Sequence, residues 1–311
     1  MRNKKILITG GAGFIGSNLS DKLIRLGNEV VVVDDLSTGK KEYIDCKAKF
    51  YQVDIRSKKI SEIFKKESLK RKIDFVFHLA AQIDVRKSIE NSNFDNEINV
   101  LGGLNILENC YRHKIKKIIF SSSGGAVYGD ASIIPTAEDY LPEPISPYGI
   151  HKLTFEKYLN YYYKVYGQKY ISLRFSNVYG PHQFKGGEAG VIAIFINNAI
   201  NNKKSIINGN GLQTRDFIYV GDVVKSLIDS AKSDYVGEIN IGATVETNLL
   251  QMVEIIELIL DCKIKKQFSP AKKGEQMRSC LNCGKAKKVL KWEAETKLED
   301  GIRQTIKWSK K

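Results

Sequence analysis

Hydrophobic residues follow two alternating patterns in the first half of the chain. The segment Glu29–Asp34 (EVVVVD) is apolar on both faces, as strands buried inside a parallel sheet are. Residues 17–26 instead have the spacing of an amphipathic helix. The same reasoning predicts strands at Lys5–Thr9, 50–54, Phe75–His78, 117–122 and 170–174, with helical segments between them. This alternation predicts a parallel sheet covered on both faces, a doubly wound α/β fold.

The pattern becomes irregular after about Asn177, where a loop-like segment covers residues 179–188. Beyond it we predict a helix at 222–233, a strand at 238–241 and a closing helix around 298–308. This change predicts a smaller, discontinuous second domain over the strand ends of the first. The predicted division assigns residues 1–178 and 217–242 to the first domain, and 179–216 and 243–311 to the second.

Length and composition predict a soluble protein with a substantial core. Of the 311 residues, 42% are hydrophobic, which excludes intrinsic disorder. No apolar run approaches the roughly 20 residues of a membrane span, so we expect no membrane association. The five cysteines are few and odd in number, as is typical of reduced thiols in a cytosol. Cys280 and Cys283 lack a second pair that would complete a zinc site. We therefore predict a cytoplasmic protein without a metal.

The net charge of +14 favours an anionic partner, either a nucleic acid or a phosphorylated small molecule. The lysines are spread along the whole chain, which argues against a dedicated nucleic-acid surface. Residues 158–166 are rich in tyrosine, but at a helical spacing that is typical of a packed or dimer-forming helix. We expect a phosphorylated small molecule and no nucleic acid.

A glycine-rich segment, residues 10–16 (GGAGFIG), lies directly between the first predicted strand and the first predicted helix. Glycines there permit a tight turn and bring a pyrophosphate close to the positive end of the helix dipole. Asp34 ends the second predicted strand about 20 positions further on. Its carboxylate suits a ribose 2′-hydroxyl and repels a 2′-phosphate, so the pattern predicts a Rossmann domain that binds NAD. Lys40 and Lys41 are the residues that could instead hold the phosphate of NADP.

Tyr148 and Lys152 are four residues apart, so on a helix they share one face. A free phenol has a pKa near 10, and lowering it to about 7 takes roughly 4 kcal/mol. A nearby ammonium and a nicotinamide charge could supply that energy together. Ser121, Ser122 and Ser123 end a predicted strand, where a hydroxyl could bind a substrate oxygen and relay a proton to Tyr148.

The segments TGGAGFIGSNL, VVVDDLSTG, HLAAQ, SSSGGAVYG, SPYGIHK, LRFSNVYGP, QTRDFIYV and INIG resemble the extended short-chain dehydrogenase/reductase family. Within that family the chain is most similar to nucleotide-sugar epimerases of the UDP-glucose 4-epimerase type. The resemblance implies cofactor contacts around the glycine-rich loop and the following strand ends. The implied residues are Gly10, Gly13, Phe14, Ile15, Gly16, Asp34, Asp35, Ser37, Thr38, Gly39, Asp54, Ile55, Leu79, Ala80, Ala81, Gln82, Asn99, Ser121, Tyr148 and Lys152.

The resemblance further implies a catalytic triad of Ser123, Tyr148 and Lys152. Because SSSGGAVYG is one residue longer than the commonest form of its motif, the catalytic hydroxyl belongs to Ser123 or Ser122, and we prefer Ser123. The implied substrate-binding residues are Ser123, Asn177, Val191, Arg215, Arg278 and Ser279, with Tyr219 as a weaker candidate. Arginine suits a nucleotide diphosphate because it offers paired donors to phosphate.

Related dehydratases and decarboxylases carry acidic residues just before Val-Tyr-Gly, where this chain has Gly125 and Ala126. We therefore predict 4-epimerisation of a UDP-hexose through a 4-keto intermediate, with NAD regenerated in each cycle and Tyr148 as the base. Ser279 would be a small gate residue that admits an N-acetyl group. Lys185, in the loop with His182, Gln183 and Phe184, keeps UDP-glucuronate as an alternative substrate.

Another alternative is a non-catalytic NAD-binding regulator with the same fold. Such proteins usually lose the tyrosine or the lysine of the triad, whereas this chain retains Tyr148, Lys152 and Ser123. Family members commonly dimerise through the helix that contains residues 158–166 and through the region of residues 94–113. The resemblance therefore implies a homodimer.

Overall fold

A computed structural model of the chain describes residues 1–183, 190–271 and 276–310. Its strands are β1 (Lys5–Thr9), β2 (Glu29–Asp34), β3 (Lys49–Gln52), β4 (Phe75–His78), β5 (Lys117–Ser123), β6 (Tyr170–Phe175), β7 (Asn177–Tyr179), β8 (Ser205–Asn208), β9 (Thr214–Tyr219), β10 (Gly237–Ile241), β11 (Glu246–Asn248) and β12 (Lys266–Ser269). Seven of them form a parallel sheet in the order β10-β6-β5-β4-β1-β2-β3. The predicted doubly wound sheet is confirmed.

The helices are α1 (Phe14–Arg25), α2 (Lys59–Lys70), α3 (Val85–Glu90), α4 (Ser92–Asn96), α5 (Gly103–Arg112), α6 (Gly124–Tyr128), α7 (Pro147–Tyr166), α8 (Val191–Ile200), α9 (Val220–Lys232), α10 (Leu249–Leu260), α11 (Gly284–Leu290) and α12 (Leu298–Ser309). A short 3₁₀ turn (Lys41–Tyr43) and a π-helical turn (Glu97–Gly102) add to them. Side chains alternate across β1, so Ile6 and Ile8 pack with α1 and α9, while Leu7 packs with α2 and α5. Both faces of the sheet are therefore buried.

Several predicted element boundaries are wrong by one to three residues, most of all those of the first helix and the third strand. The first helix begins at Phe14 rather than at residue 17, because the chain becomes helical directly after Gly13. The third strand covers Lys49–Gln52 rather than 50–54. It ends early because Asp54 forms a turn, accepting hydrogen bonds from the main chain of Arg56 at its side chain and of Ser57 at its carbonyl.

The second half contributes two small sheets, β11-β9-β7 and β12-β8. They pack with α8, α10 and α12 around a separate cluster that includes Phe195 and Met252. The strand β9 crosses the predicted domain boundary between residues 216 and 217. Phe217, which the prediction assigns to the first domain, packs in this second cluster, whereas its neighbour Ile218 packs against the central sheet. The predicted division into domains remains a prediction.

Within residues 1–183, 190–271 and 276–310, no helix is long and apolar enough to cross a membrane. The same residues contain no group of three or more metal-ligating side chains. Cys280 and Cys283 are both free thiols.

Candidate active site

The glycine-rich loop packs so closely that side chains would not fit. Gly10 has φ +72°, and a Cβ on it would lie 2.6 Å from the main-chain nitrogen of Ala80. A Cβ on Gly16 would overlap the carbonyl oxygen of Gly10. Gly13 caps α1 without any side-chain hydrogen bond, so the first-turn N–H groups of α1 have no capping side chain. This cradle fits a pyrophosphate, and Phe14 and Ile15 of the first turn lie half-buried below it.

Asp34 lies at the carboxyl end of β2, buried beside the glycine-rich loop. Its carboxylate accepts hydrogen bonds from the main-chain nitrogens of Ala12 (2.9 Å) and Leu36 (2.8 Å), and burial raises its pKa. Gly39 lets the following loop return, because a Cβ there would lie 2.9 Å from that of Ala12. Lys40 pairs with Glu42 at 3.4 Å. Asp35, Ser37 and Thr38 lie exposed on the rim of this loop.

The next two strand ends supply the other predicted cofactor residues. Asp54 forms an ion pair with Arg56, which holds the pKa of that carboxyl below its usual value. The side chain of Ile55 is buried against Gly102. After β4, residues Leu79, Ala80 and Ala81 form a half-buried turn against the glycine-rich loop.

The carboxamide of Asn99 holds the end of the segment after β4 through two hydrogen bonds to Gln82. Its Nδ2 donates to the carbonyl of Gln82 (3.0 Å), and its Oδ1 accepts from the main-chain nitrogen of Gln82 (3.1 Å). Asn99 belongs to the π-helical turn and is buried. The sequence separation of Asn99 and Gln82 gives no sign of this pairing, yet both residues are in the predicted cofactor set.

The three serines at the end of β5 have different surroundings. Ser123 caps α6, with its Oγ 3.4 Å from the main-chain nitrogen of Ala126, and its hydroxyl lies close enough to Tyr148 to lower the pKa of the phenol. Ser122 points to the opposite face of the sheet, where its buried Oγ has no partner among the described residues. The carbonyl of Ser121 accepts a hydrogen bond from Lys152. The structure thus brings Ser123, and not Ser122, to the phenol.

Tyr148 and Lys152 occupy the first two turns of α7. The ammonium of Lys152 lies 2.9 Å from the Ser121 carbonyl and 5.7 Å from the centre of the Tyr148 ring. Burial lowers the pKa of Lys152 to about 8 and raises the pKa of Tyr148, while the hydrogen bond from Ser123 lowers the latter in part. In the protein alone, therefore, the Lys152 ammonium does not lower the pKa of the Tyr148 phenol as the sequence suggests. Burial has the larger effect, and it raises that pKa.

The two predicted substrate arginines lie in a group of polar residues from β9, from β11 and from the segment before α11. Arg278 makes two hydrogen bonds to Glu246, from Nε (3.0 Å) and from Nη2 (2.6 Å), and Glu246 also accepts from the Thr214 hydroxyl. The Nη1 of Arg215 donates to the Thr214 carbonyl at 2.7 Å. Buried Asp216 binds the main-chain nitrogens of residues 243, 244 and 281. Both predicted arginines thus lie beside Thr214.

The remaining predicted substrate residues lie on separate elements. Ser279 lies beside α6, with its Oγ 3.4 Å from the position of a Cβ on Gly125. Asn177 is exposed at the start of β7, and Val191 begins α8. The hydroxyl of Tyr219 instead donates to Gln304 of α12. Two residues of the predicted specificity loop, Phe184 and Lys185, lie outside the described residues.

Comparisons with known proteins identify the family to which this chain belongs. The family model described as "NAD dependent epimerase/dehydratase family" matches residues 6–242. The chain belongs to this family. The UDP-glucose 4-epimerase of Mycolicibacterium smegmatis is 35% identical over 310 residues, which cover 98% of each chain.

Two solved structures of epimerases are also similar over almost their whole length. The UDP-glucose 4-epimerase of Thermotoga maritima, solved with UDP-glucose, is 40% identical with a TM-score of 0.94, covering 98% of each chain. The UDP-N-acetylglucosamine 4-epimerase of Methanobrevibacter ruminantium M1, solved with UDP-N-acetylmuramic acid, is 34% identical with a TM-score of 0.94, covering 99% of each chain. The predicted family, fold, enzyme class and NAD cofactor are confirmed.

Sequence reasoning missed several polar residues that hold the site of this epimerase-family chain together. Glu246 binds Arg278, Asp216 binds the main chain near the same arginine, and Asp95 pairs with His151 of α7 at 2.6 Å. Each of these contacts joins residues more than 25 positions apart, so no local pattern could reveal it.

Proposed function

We propose that this protein is a UDP-hexose 4-epimerase that interconverts UDP-glucose with UDP-galactose and UDP-N-acetylglucosamine with UDP-N-acetylgalactosamine. The observation that carries the proposal is that the Ser123 hydroxyl and the Lys152 ammonium both lie beside Tyr148, with the ammonium 5.7 Å from the centre of the phenol ring. The full-length similarity to enzymes named for 4-epimerisation supports it. The helix α6 (GGAVY) has no acidic side chain that could expel water or assist decarboxylation.

The reaction needs a group that takes the proton of the sugar 4-hydroxyl and later returns it. In the proposed reaction Tyr148, as phenolate, is that base, and the hydroxyl of Ser123 binds the sugar oxygen. Lys152, held by the Ser121 carbonyl, places a positive charge 5.7 Å from the centre of the phenol ring, which favours the phenolate but does not outweigh the effect of burial in the protein alone. The chemistry that bound NAD supplies is the reversible removal of hydrogen with its two electrons at C4. Because both are returned, no net oxidation occurs.

The surroundings of His182 support a neutral sugar as substrate. A glucuronate carboxylate calls for a cation in the loop after Gly180, but the Nδ1 of His182 is 2.9 Å from the Ser17 hydroxyl, and its ring stacks on Tyr43 at 4.3 Å. Burial lowers the pKa of His182, so its ring is neutral at pH 7. The described part of this loop, residues 180–183 and 190, contains no Lys or Arg. Lys185 lies outside it.

We assign Ser279 as the residue that decides whether an N-acetyl group fits. Its position beside Gly125, at the first turn of α6, is next to Ser123, and a phenol ring there would fill the space that an acetamido group needs. The test compares conversion of UDP-glucose and UDP-N-acetylglucosamine, without added cofactor, by the wild type and by Ser279→Tyr. Ser279→Ala is the matched control.

We expect the wild type to convert both sugars. Ser279→Tyr should lose about 10- to 100-fold on the N-acetyl sugar alone, because overpacking of this kind costs about 1–3 kcal/mol. Equal loss on both sugars would refute the gate. If the wild type converted neither neutral sugar but did convert UDP-glucuronate, the proposed substrate class would be wrong.

We also propose that the protein is a homodimer formed through α7 and the helical region before α5. Large apolar side chains of this surface are exposed in the single chain, at 38–57%. They are Phe94, Leu101, Ile150, Tyr158, Tyr161 and Val165. Large exposed apolar side chains on elements that pack together are typical of an interface, and a second copy of the chain offers the matching surface.

A further inference from the structure

Three aromatic rings from distant parts of the chain meet outside the reacting groups described above. His182, in the turn after β7, stacks on Tyr43 of the 3₁₀ turn, with ring centres 4.3 Å apart and planes inclined by 10°. Trp308 of α12 packs against both rings, with centre-to-centre distances of 5.5 Å to His182 and 6.3 Å to Tyr43. We call these three residues the aromatic cluster. No step of the proposed reaction uses them.

Hydrogen bonds attach the turn that carries His182 to the first half of α1. Nδ1 of His182 lies 2.9 Å from Oγ of Ser17. Nδ2 of Asn18 donates to the carbonyl of Phe14 (2.9 Å) and to that of Pro181 (3.0 Å). The turn is therefore attached to the helix whose first-turn N–H groups belong to the pyrophosphate cradle.

The main chain of His182 adopts an uncommon conformation to bring its ring there. Its φ is +69°, in the left-handed region that few residues with side chains adopt. Such a conformation persists where the surrounding structure holds it, and it is concentrated at functional sites. The next residue, Gln183, is buried and donates from Nε2 to the carbonyl of Val178 at 3.0 Å, which closes the turn. The position of the imidazole is thus fixed by contacts on both sides of it in the chain.

Tyr43 approaches the same cradle from the loop after β2. Its main-chain nitrogen donates to the carbonyl of Lys40 (3.0 Å), and the main-chain nitrogen of Lys40 donates to the carbonyl of Ala12 in the glycine-rich loop (3.0 Å). Residues 35–39, most of which are in the predicted cofactor set, precede this anchor directly. The tyrosine ring is therefore fixed to the outer end of the predicted cofactor loop.

The aromatic cluster closes a circuit of contacts that includes both borders of the cradle. On one border, Ser17 joins His182 to the cap of α1, since its main-chain nitrogen donates to the carbonyl of Gly13 at 3.0 Å. On the other border, the path from Tyr43 ends at Ala12, the residue before Gly13. The stack of the two rings joins these borders, and the third ring adds α12, which packs in the second cluster.

We propose that the aromatic cluster retains NAD in this protein. While His182 and Tyr43 are stacked, the loop after β2 and the first turn of α1 are held together, so that bound NAD dissociates slowly. His182 is a positioning residue in this account, because it acts through these two elements and touches neither the substrate nor the reacting atoms. Slow release suits the proposed reaction, which regenerates NAD in each cycle, but the proposal depends only on NAD binding.

Two substitutions remove the stack from opposite sides. His182→Asn removes the imidazole ring but keeps a residue type that tolerates the left-handed region. Tyr43→Leu removes the other ring, whereas Tyr43→Phe keeps it. Labelled NAD is bound to each purified variant, a large excess of unlabelled NAD is added, and the label that remains with the protein is followed over time. This measurement gives the rate of NAD dissociation without any turnover.

We expect NAD to dissociate about tenfold faster from His182→Asn and from Tyr43→Leu, because each variant loses ring contacts of the cluster. Tyr43→Phe should retain NAD as the wild type does. The double variant of His182→Asn and Tyr43→Leu should release NAD no faster than the single variants, since both substitutions remove the same contact. If one single variant folded poorly, the other would still test the proposal.

The matched control is His113→Asn. The ring of His113 is also half-buried, and its centre lies 5.7 Å from that of Phe64, in the cluster on the other face of the central sheet. We expect this variant to lower the melting temperature without changing the rate of NAD dissociation. Because the exchange needs no turnover, a failure of the proposed function would show in the conversion of UDP-sugars and not in these rates.

Two results would overturn the proposal. If His182→Asn and Tyr43→Leu lowered the melting temperature but released NAD at the wild-type rate, the aromatic cluster would be merely structural. If His113→Asn released NAD as fast as these two variants, the faster release would be a general effect of lost stability and not a property of the cluster.

Discussion

At the scale of single residues, the direction of a side chain decides which serine can act. Successive residues of β5 point to opposite faces of the sheet, so Ser123 reaches the Tyr148 phenol, and Ser122 lies buried behind the strand. The sequence narrowed the choice to these two hydroxyls through the motif alone. The sequence alone could not show which of the two hydroxyls faces Tyr148, because the motif has one extra residue and the end of the strand could not be predicted.

This difference predicts unequal effects of two small substitutions. Ser123→Ala should lower kcat by about 100-fold or more, because it removes a group that hydrogen-bonds to the reacting oxygen atoms, while KM changes little. Ser122→Ala should leave kcat near that of the wild type, since its hydroxyl has no partner to lose among the described residues. Steady-state kinetics with the UDP-sugar that is converted gives both numbers. Comparable losses of kcat in the two variants would argue against Ser123 as the catalytic hydroxyl.

At the scale of elements, the apolar strands of the central sheet were predictable because their signal is local. β1, β2 and β4 have the predicted bounds, since each is a short apolar run that ends at a polar residue or a turn. The helix α6 was not foreseen, because two glycines precede its single apolar turn. The small strands β7 and β11 have three residues each, too few to show a period. Contacts such as that between Glu246 and Arg278 were not predictable, because they depend on how these elements pack together.

The junction between β1 and α1 gives a test at this scale. Gly16→Ala should lower the free energy of unfolding by about 1–3 kcal/mol and reduce NAD retention, because a Cβ there overlaps the Gly10 carbonyl and forces the loop open. Gly27→Ala is the control after the other end of α1, where φ is +79° and a Cβ has open space. It should cost about 1 kcal/mol through the left-handed backbone alone and leave NAD retention unchanged.

Urea unfolding and the amount of NAD that remains with the purified protein measure the two effects. If Gly16→Ala retained NAD as the wild type does, the loop would not be the pyrophosphate site.

At the scale of the whole molecule, two surfaces of the chain are suited to binding a partner. The surface beside Thr214, where Arg215 and Arg278 lie, suits an anionic substrate such as a UDP-sugar, which agrees with the net charge of +14. The exposed apolar side chains of α7 instead suit a second copy of the chain.

The proposed homodimer predicts a specific change of mass. Tyr161→Glu places a charge in the exposed surface of α7, where the side chain is 46% exposed, and should convert the dimer to a monomer because a buried unpaired carboxylate is costly. Leu258→Glu, on α10 and 81% exposed, is the matched control and should remain dimeric. Sedimentation velocity distinguishes the two masses. A wild-type protein that sediments as a monomer would contradict the assembly.

The central claim is that the sugar is oxidised and reduced at C4 without loss of the removed hydrogen. The most direct test uses UDP-glucose carrying deuterium at C4, incubated with the purified protein and no added cofactor. The account predicts UDP-galactose that keeps the deuterium at C4, and no product with Tyr148→Phe. Product whose C4 carries solvent hydrogen, or full activity in Tyr148→Phe, would contradict it.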